Sequence, residues 1–530
     1  MLEPSIRSKN NHQDTPAEEP EHSAARESRR KIQIACAIAF LAAVASMLFY
    51  KPLSQAEGGD DAIWDYISQC IVRGQVPYRD VIDNKSPASA YLSALAIVAG
   101  KALGLQDILS VRVLYVILVG VLSVVTLITA WAYFRSLAVG AFAVLMLLTW
   151  PGLAELMIAG TRPKVPTMIF GLLTLFFIAE EKPLSAGICS MIACLCWQPG
   201  LMFTGTAVLL FSKYLTSWRD LRALKVMIGA ALPLVITLVY FSVNHALFDF
   251  WRWTFTYNLQ FYLPEGHEGG TVALKRLWHL IREVTGGNTI WVKLSVAGIL
   301  FFMAERVTAR VAKGVRNSQD LFKEALVIVP LLYVVFKMVS YPGIDDLIPL
   351  FPFVGFFSGY AIVRGCQLIA SIAIVRRFEN AARLVRSIPL LPLLILLTLA
   401  VKHGLTYTIG PTNTLQDQQR MVRNIADLLE PDDLIYVHGT LEILVLLNRP
   451  NMNPYIFLPR GVDNYIADQR AGSFSEILDE MKSRAPKVIS LSRIKNVEHR
   501  HEMLAWVAEQ YDRFPVEFAH NSVYVLKKRN

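Results

Sequence analysis

Residues 57–87 read EGGDDAIWDYISQCIVRGQVPYRDVIDNKSP, and the fold turns on where this stretch sits. It keeps Asp60, Asp61, Asp65, Asp80 and Asp83 directly after the first apolar run of the chain. Of the 530 residues, 54% are hydrophobic and only 18% charged. That balance departs from soluble domains. Apolar runs recur at lengths approaching the roughly 20 residues that cross a hydrocarbon core. The composition therefore implies an α-helical polytopic membrane protein. A net charge of +9 would suit a nucleic-acid partner, but the cations stand in short loops between apolar runs, where a topological charge bias puts them. No nucleic acid is expected. Cys36, Cys189, Cys194 and Cys196 lie in apolar runs and none of the six cysteines has zinc-like spacing, so the sequence assigns no metal ligands.

Residues 1–30 are polar and read as a disordered cytoplasmic tail. Arg29, Arg30 and Lys31 precede the first span, 32–50, which is expected to stay as an anchor entering from the cytoplasm. The run 88–104 decides the topology. If it lies on the outer surface as a juxtamembrane helix, the later spans are 108–133, 137–151, 165–179, 183–197, 200–212, 226–243, 289–304, 325–340, 346–363 and 388–402. Sixteen Lys and Arg then fall in cytoplasmic loops against eight outside. If it spans, that ratio inverts. Eleven spans are therefore expected, about 11 transmembrane helices in a domain covering 31–403, with 51–106 as the first outer loop.

Three further segments face the same side: GLAELMIAGTRPK at 152–164, the aromatic-rich 244–288 with an interfacial helix, and SYPGIDD at 340–346. Residues 404–530 change character. Strand-like LIYVHG, KVISLS and SVYVL alternate with helical patterns at 415–429, 473–484 and 497–510, which predicts a small soluble α/β domain outside the membrane.

Within the first loop, residues 61–73 have helical periodicity. Ile63, Ile67, Cys70 and Ile71 form an apolar stripe, with Asp61, Asp65, Ser68 and Gln69 facing away. Asp60 follows two glycines at the helix start. It reads either as an N-cap or as a general base at the membrane surface.

The loop resembles the first periplasmic loop of GT-C-class glycosyltransferases, in the style of the protein O-mannosyltransferase and lipid A aminoarabinose transferase family. The matching residues are Asp60, Asp61, Trp64, Gly74, Pro77, Tyr78, Arg79, Asp80, Asn84, Lys85 and Pro87, with Ala62 and Ser86 departing from the pattern. The resemblance implies a GT-C fold, a juxtamembrane helix at 88–104, and transfer of a sugar from a polyprenyl-phosphate donor to a lipid, glycan or protein acceptor at the periplasmic face of a bacterial inner membrane. It also implies Asp60 as the base and Asp61 as its reserve. Arg162, Lys164 and Lys85 are the candidates for the donor phosphate, although cations at a span end also snorkel without further role. Tyr78, Asp80, Tyr341 and Asp345 are expected to touch substrate. The second loop offers only Glu155 as an acid, so a divalent metal has little support and no cofactor is expected. The aromatic set Trp251, Trp253, Phe255, Tyr257, Phe261 and Tyr262 fits either sugar stacking or an interfacial belt. Trp197-Gln198-Pro199-Gly200 reads as a plain turn. A flippase of lipid-linked glycans, or a non-catalytic envelope assembly protein, would share the span count, but a transporter predicts repeats or charges within the spans, and the runs hold few such charges and no clear repeat.

The topology makes one direct prediction. In a cysteine-free background, Leu95→Cys is labelled by an impermeant thiol reagent from outside, and a cysteine in the 305–323 loop is not. Outside labelling of that loop would reverse the orientation.

Overall fold

The computed structural model describes residues 19–212, 220–263, 270–313, 322–339, 343–372, 379–410, 414–439, 441–456, 462–469, 473–491, 497–518 and 521–527. Its helices in the first half are α1 (Glu19–Phe49), α2 (Gly59–Val72), α3 (Ala88–Ala102), α4 (Asp107–Phe134), α5 (Leu137–Leu148), α6 (Pro151–Ile158), α7 (Lys164–Ala179), α8 (Pro183–Cys196), α9 (Leu201–Ser212), α10 (Arg222–Val243) and α11 (Leu247–Trp251). There follow α12 (Gly270–Val284), α13 (Ile290–Lys313), α14 (Ala325–Val339), α15 (Phe351–Ser371), α16 (Glu379–Ser387) and α17 (Leu390–Thr406). The last part holds α18 (Leu415–Ala426), α19 (Glu442–Leu447), α20 (Val462–Gln469), α21 (Ser473–Arg484) and α22 (Val497–Gln510).

Among the described residues, five helices are long and apolar enough to cross a membrane, or six if α5 and α6 count as one bent span. Shorter apolar helices such as α7, α8 and α14 accompany them. The chain is a multi-pass helical membrane protein. Several boundaries differ from the sequence reading: α15 covers Phe351–Ser371 where 346–363 was expected, and α13 runs on to Lys313 past the expected end at 304. α1 begins at Glu19, so residues 19–30 are helical rather than a loose tail, while residues 1–18 lie outside the described residues. The expected span 137–151 ends at Leu148, and α6 leaves it at 78°. Pro151 lacks the N–H a continuing helix would use, so the chain turns there. α6 then buries Leu153, Ala154, Met157 and Ile158 and leads into residues 159–163.

The terminal domain carries one sheet of four strands, β1 (Ile435–His438), β2 (Val488–Leu491), β3 (Tyr511–Phe518) and β4 (Asn521–Leu526), in the order β1-β2-β4-β3. β1 and β2 run parallel, and the other pairings are antiparallel. β3 was not legible in sequence. It holds Pro515, and its register shifts between Arg513 and Glu517, as expected where a proline cannot donate to the ladder.

The domain packs directly on α2. Ala62, Ile63, Trp64, Tyr66, Ile67 and Cys70 share one apolar cluster with Leu415, Ile425, Ile435, Val437, Leu441, Leu444 and Val488. α3 packs against α2 as well. α2 is thus covered on more than one side, and the polar face expected to meet solvent is not exposed: Asp61, Asp65, Ser68 and Gln69 are all buried. Each of those side chains has a polar partner, although Asp65 Oδ2 and Gln69 Oε1 have no hydrogen bond. Ser68 Oγ donates to Trp64 O at 2.6 Å, Gln69 Nε2 donates to Val445 O at 3.1 Å, and Asp65 Oδ1 accepts from Thr161 N at 2.9 Å.

Candidate active site

The site forms where four segments meet: the start of α2, the 159–163 turn into α7, the end of α14, and a short 3-10 turn at Ile344–Leu347. Gly160 sets the first contact. A Cβ there would stand 2.8 Å from Asp65 Oδ2 and 2.9 Å from Asp61 Cβ, so only glycine lets the turn close on α2. Thr161 then donates its N–H to Asp65 and its hydroxyl to Ser93 Oγ at 2.7 Å. Arg162 is delivered beside Asp61, with Nη2 2.5 Å from Oδ1. Its Nε donates to Leu156 O at 3.1 Å, and its Nη1 reaches Asp345 Oδ2 at 3.5 Å.

From there an alternating series of charges runs inward. Lys164 Nζ pairs with Asp345 Oδ2, and lies 2.8 Å from Asp346 Oδ1. Lys337, from the apolar helix α14, sits 3.0 Å from the same Asp346 oxygen. Asp346 is further fixed by the Gly343 N–H at 2.7 Å, and Tyr333 Oη donates to its backbone carbonyl at 3.0 Å. The ring of Trp197 backs this cluster, 5.0 Å from Lys164 Nζ and 5.4 Å from Lys337 Nζ. Both ammonium groups therefore gain from the electron-rich face of one indole.

Burial and charge compete at each carboxylate. Burial pushes the Asp61 carboxyl up, to about 7, against the pull of Arg162. Burial likewise pushes up Asp346, but Lys164 and Lys337 outweigh it and hold that carboxyl well below the usual range. Asp345 is lowered for the same reason, with Lys164 as the chief counter-charge to burial. Asp60 is different. It lies in the first turn of α2, not at the N-cap, which Gly58 occupies, and it is exposed while Asp61 beside it is buried. Its charge still acts on both Asp61 and Arg162. The exposed carboxylate is available for chemistry, and the buried one holds Arg162 in place.

Lys85 flanks the cluster. Its Nζ lies 4.5 Å from the Tyr262 ring centroid, and Tyr262 is itself within electrostatic range of Lys337. The Lys85 segment is seated by Gln198 and Asn258, which both donate to Asn84 O, at 2.8 and 2.7 Å. Trp197 also lines a small apolar cavity with Met168, Met202, Phe203, Val329, Tyr333 and Phe353. Among the described residues, no group of three His, Cys, Asp or Glu is placed to hold a metal ion.

The fold has solved counterparts. ArnT from Cupriavidus metallidurans in the apo state superposes with a TM-score of 0.58 at 14% identity, over 92% of this chain and 97% of that one. The same protein bound to undecaprenyl phosphate gives 0.57 at 14% identity, over 93% and 97%. The Archaeoglobus fulgidus oligosaccharyltransferase in its apo form gives 0.50 at 11% identity, over 89% and 71%. The fold is that of the GT-C glycosyltransferases. No family model and no curated protein matches the chain by sequence.

On this GT-C frame, Asp60, Asp61, Arg162, Lys164 and Asp345 come together and Lys85 stands at their edge. Tyr78 and Asp80 do not join them. Tyr78 is buried at a φ of 74°, with its hydroxyl donating to Lys85 O at 2.7 Å and its ring edge-on to Phe241 and Phe250. Asp80 accepts from Val76 N and pairs with Arg79, both at 2.7 Å. Both residues shape the loop that carries Lys85. Tyr341 lies outside the described residues. Glu155 turns away as well, its Oε1 accepting from Tyr407 Oη at 2.6 Å. The aromatic set divides. Trp253, Tyr257 and Phe261 pack on Tyr465 of the terminal domain, Trp251 stacks on Phe255 where both are exposed, and only Tyr262 reaches the site.

Lys337, Trp197 and Tyr333 escaped the sequence reading. Lys337 carried a usable signal, a lone cation inside the apolar run ALVIVPLLYVVFKMV, since an ionisable residue in a span marks function by default. Trp197 carried none, because a tryptophan before Pro-Gly is common at span ends.

Two substitutions separate the neighbouring acids. Asp61→Asn leaves Arg162 buried without its closest counter-charge and is expected to cost about 3 kcal/mol of stability, whereas exposed Asp60→Asn is expected to change it by less than about 0.5 kcal/mol. Thermal unfolding in detergent measures both, and equal losses would contradict the division. Gly160→Val is expected to behave like Asp61→Asn, because it forces the turn off α2.

Proposed function

We propose that the chain is an integral-membrane glycosyltransferase that moves a sugar from a polyprenyl-phosphate donor to an acceptor outside the cytoplasm. The observation that carries this reading is the placement of one exposed carboxylate, Asp60, at the edge of three buried cations, Arg162, Lys164 and Lys337. A sugar phosphate leaving from its anomeric carbon needs both parts. Asp60 accepts the proton of an acceptor hydroxyl or amine as that atom attacks the anomeric carbon. The bond from that carbon to the phosphate oxygen breaks, and the developing charge on the lipid phosphate falls to the cations. The likeness of the fold to ArnT, crystallised with undecaprenyl phosphate, favours a donor of this kind.

The reading places α2, the 159–163 turn and the terminal domain on the outer side of a bacterial inner membrane, with the N-terminus in the cytoplasm. The acceptor is a lipid, a glycan or a protein. Asp61 orients Arg162, and Lys85 with Tyr262 lines the flank by which donor or acceptor enters. Asp345 Oδ2 faces both Arg162 and Lys164, the two-cation setting that suits a phosphate oxygen. The donor phosphate takes over that place, and Asp345 yields it.

Two measurements test the reading. Envelope membranes containing the protein and its native acceptor are given a panel of undecaprenyl-phosphate-linked sugars, and released undecaprenyl phosphate is quantified. Asp60→Asn is expected to lower release about 10²-fold or more with undecaprenyl phosphate binding retained, and full release would remove the base assignment. Asp345→Asn is expected to tighten undecaprenyl phosphate binding about tenfold, because a competing charge-assisted contact worth about 1.5 kcal/mol is gone. Weaker binding would make Asp345 a fixed part of the site instead.

A further inference from the structure

The first turn of α2 is capped from a distant part of the chain. Gly58 holds the N-cap position and has no side chain with which to accept from the N–H groups that begin the helix. Gly59 takes a left-handed φ of 59°, which suits glycine. Its N–H donates to Glu442 Oε1 at 3.2 Å. Glu442 opens α19 in the terminal domain, 383 positions further along, and is 2% exposed. A Cβ on Gly58 would stand 3.4 Å from the same oxygen, so the approach is close on both sides of the peptide. At the preceding residue, Glu57 and Gln418 of α18 exchange two hydrogen bonds of 2.7 Å, Glu57 N to Oε1 and Gln418 Nε2 to Glu57 O. Asp60 is the next residue after Gly59.

We infer that Glu442 is a positioning residue for the transfer reaction, acting on Asp60 through the cap it supplies to Gly59. The inference rests on the reading of Asp60 as the base. An L-residue with an ordinary cap would have fixed this helix start locally. Two glycines leave it free, and the terminal domain removes that freedom. A carboxylate is also the favoured group at the positive end of a helix, and burial keeps its effect from being screened. Asp60 therefore projects from a start whose direction the terminal domain sets, and the domain is part of the catalytic device and more than a brace. Gln418 works with Glu442 by fixing the residue ahead of the glycines.

Glu442→Ala and Glu442→Gln, in the full-length protein, separate this role from simple stability. The glutamine keeps an amide oxygen that accepts from Gly59 and should fold where the alanine is weakened. With the best donor from the undecaprenyl-phosphate-linked panel, Glu442→Ala is expected to lower kcat about tenfold or more, since small misplacement of a catalytic group costs up to about 10²-fold, with donor KM unchanged. Glu442→Gln restores kcat. Hydrogen exchange of the amides in residues 59–63 rises in the alanine variant and not in the glutamine variant. Unchanged kcat in Glu442→Ala, a loss confined to KM, or a glutamine variant as impaired as the alanine overturns the inference while leaving the Asp60 reading in place. Absence of turnover by the wild type with every donor overturns that reading and the inference with it.

Discussion

Three cations are buried together in this protein, and the local structure is arranged to keep them there. Taking a guanidinium and two ammonium groups out of water is costly unless each meets an opposite charge at close range. Asp61, Asp345 and Asp346 supply those charges from two separate segments. Each segment is then pinned by its own backbone contacts. Asp61 is held by a helix packed between α3 and the terminal domain, Arg162 by a turn that Gly160 lets close, and Asp346 by the Gly343 N–H. Removing one charge strands another, so the elements depend on one another through the cluster.

That arrangement is also what a phosphate-handling site requires. Fixed, partly dehydrated cations stabilise a developing anion better than mobile surface lysines, because little reorganisation is needed when the charge appears. In the proposed reaction the exposed Asp60, outside the cluster, takes the acceptor's proton. The division of labour between two adjacent aspartates follows from one helical step: consecutive residues point about 100° apart on α2, so one faces solvent and the next faces Arg162.

Much of this could be read in the sequence. The GT-C resemblance of residues 57–87, the segments holding the apolar helices, and the α/β character of the terminal domain all rest on periodicity and motif, which are local. Arg162, Lys164 and Asp345 were legible as polar residues at span ends. What escaped was contact between distant segments. The burial of Gln69 depends on the terminal domain and that of Asp65 on the 159–163 turn, neither of which any period in 61–73 encodes. Lys337 counted only as one more cation outside, and Trp197 as part of a turn, until the packing of α7, α8 and α14 brought them to the same face. Tyr78 and Asp80 match the family pattern, and their partners are loop backbone, aromatic rings and Arg79, contacts that shape the loop.

The most direct test of the central claim is a structure of the protein in lipid nanodiscs with undecaprenyl phosphate bound. The account predicts the phosphate in contact with Arg162 and Lys164, the Asp345 carboxylate moved off Lys164, and Asp60 on the open side of the phosphate. A phosphate bound elsewhere, with the ion pairs of Asp345 intact, would contradict it.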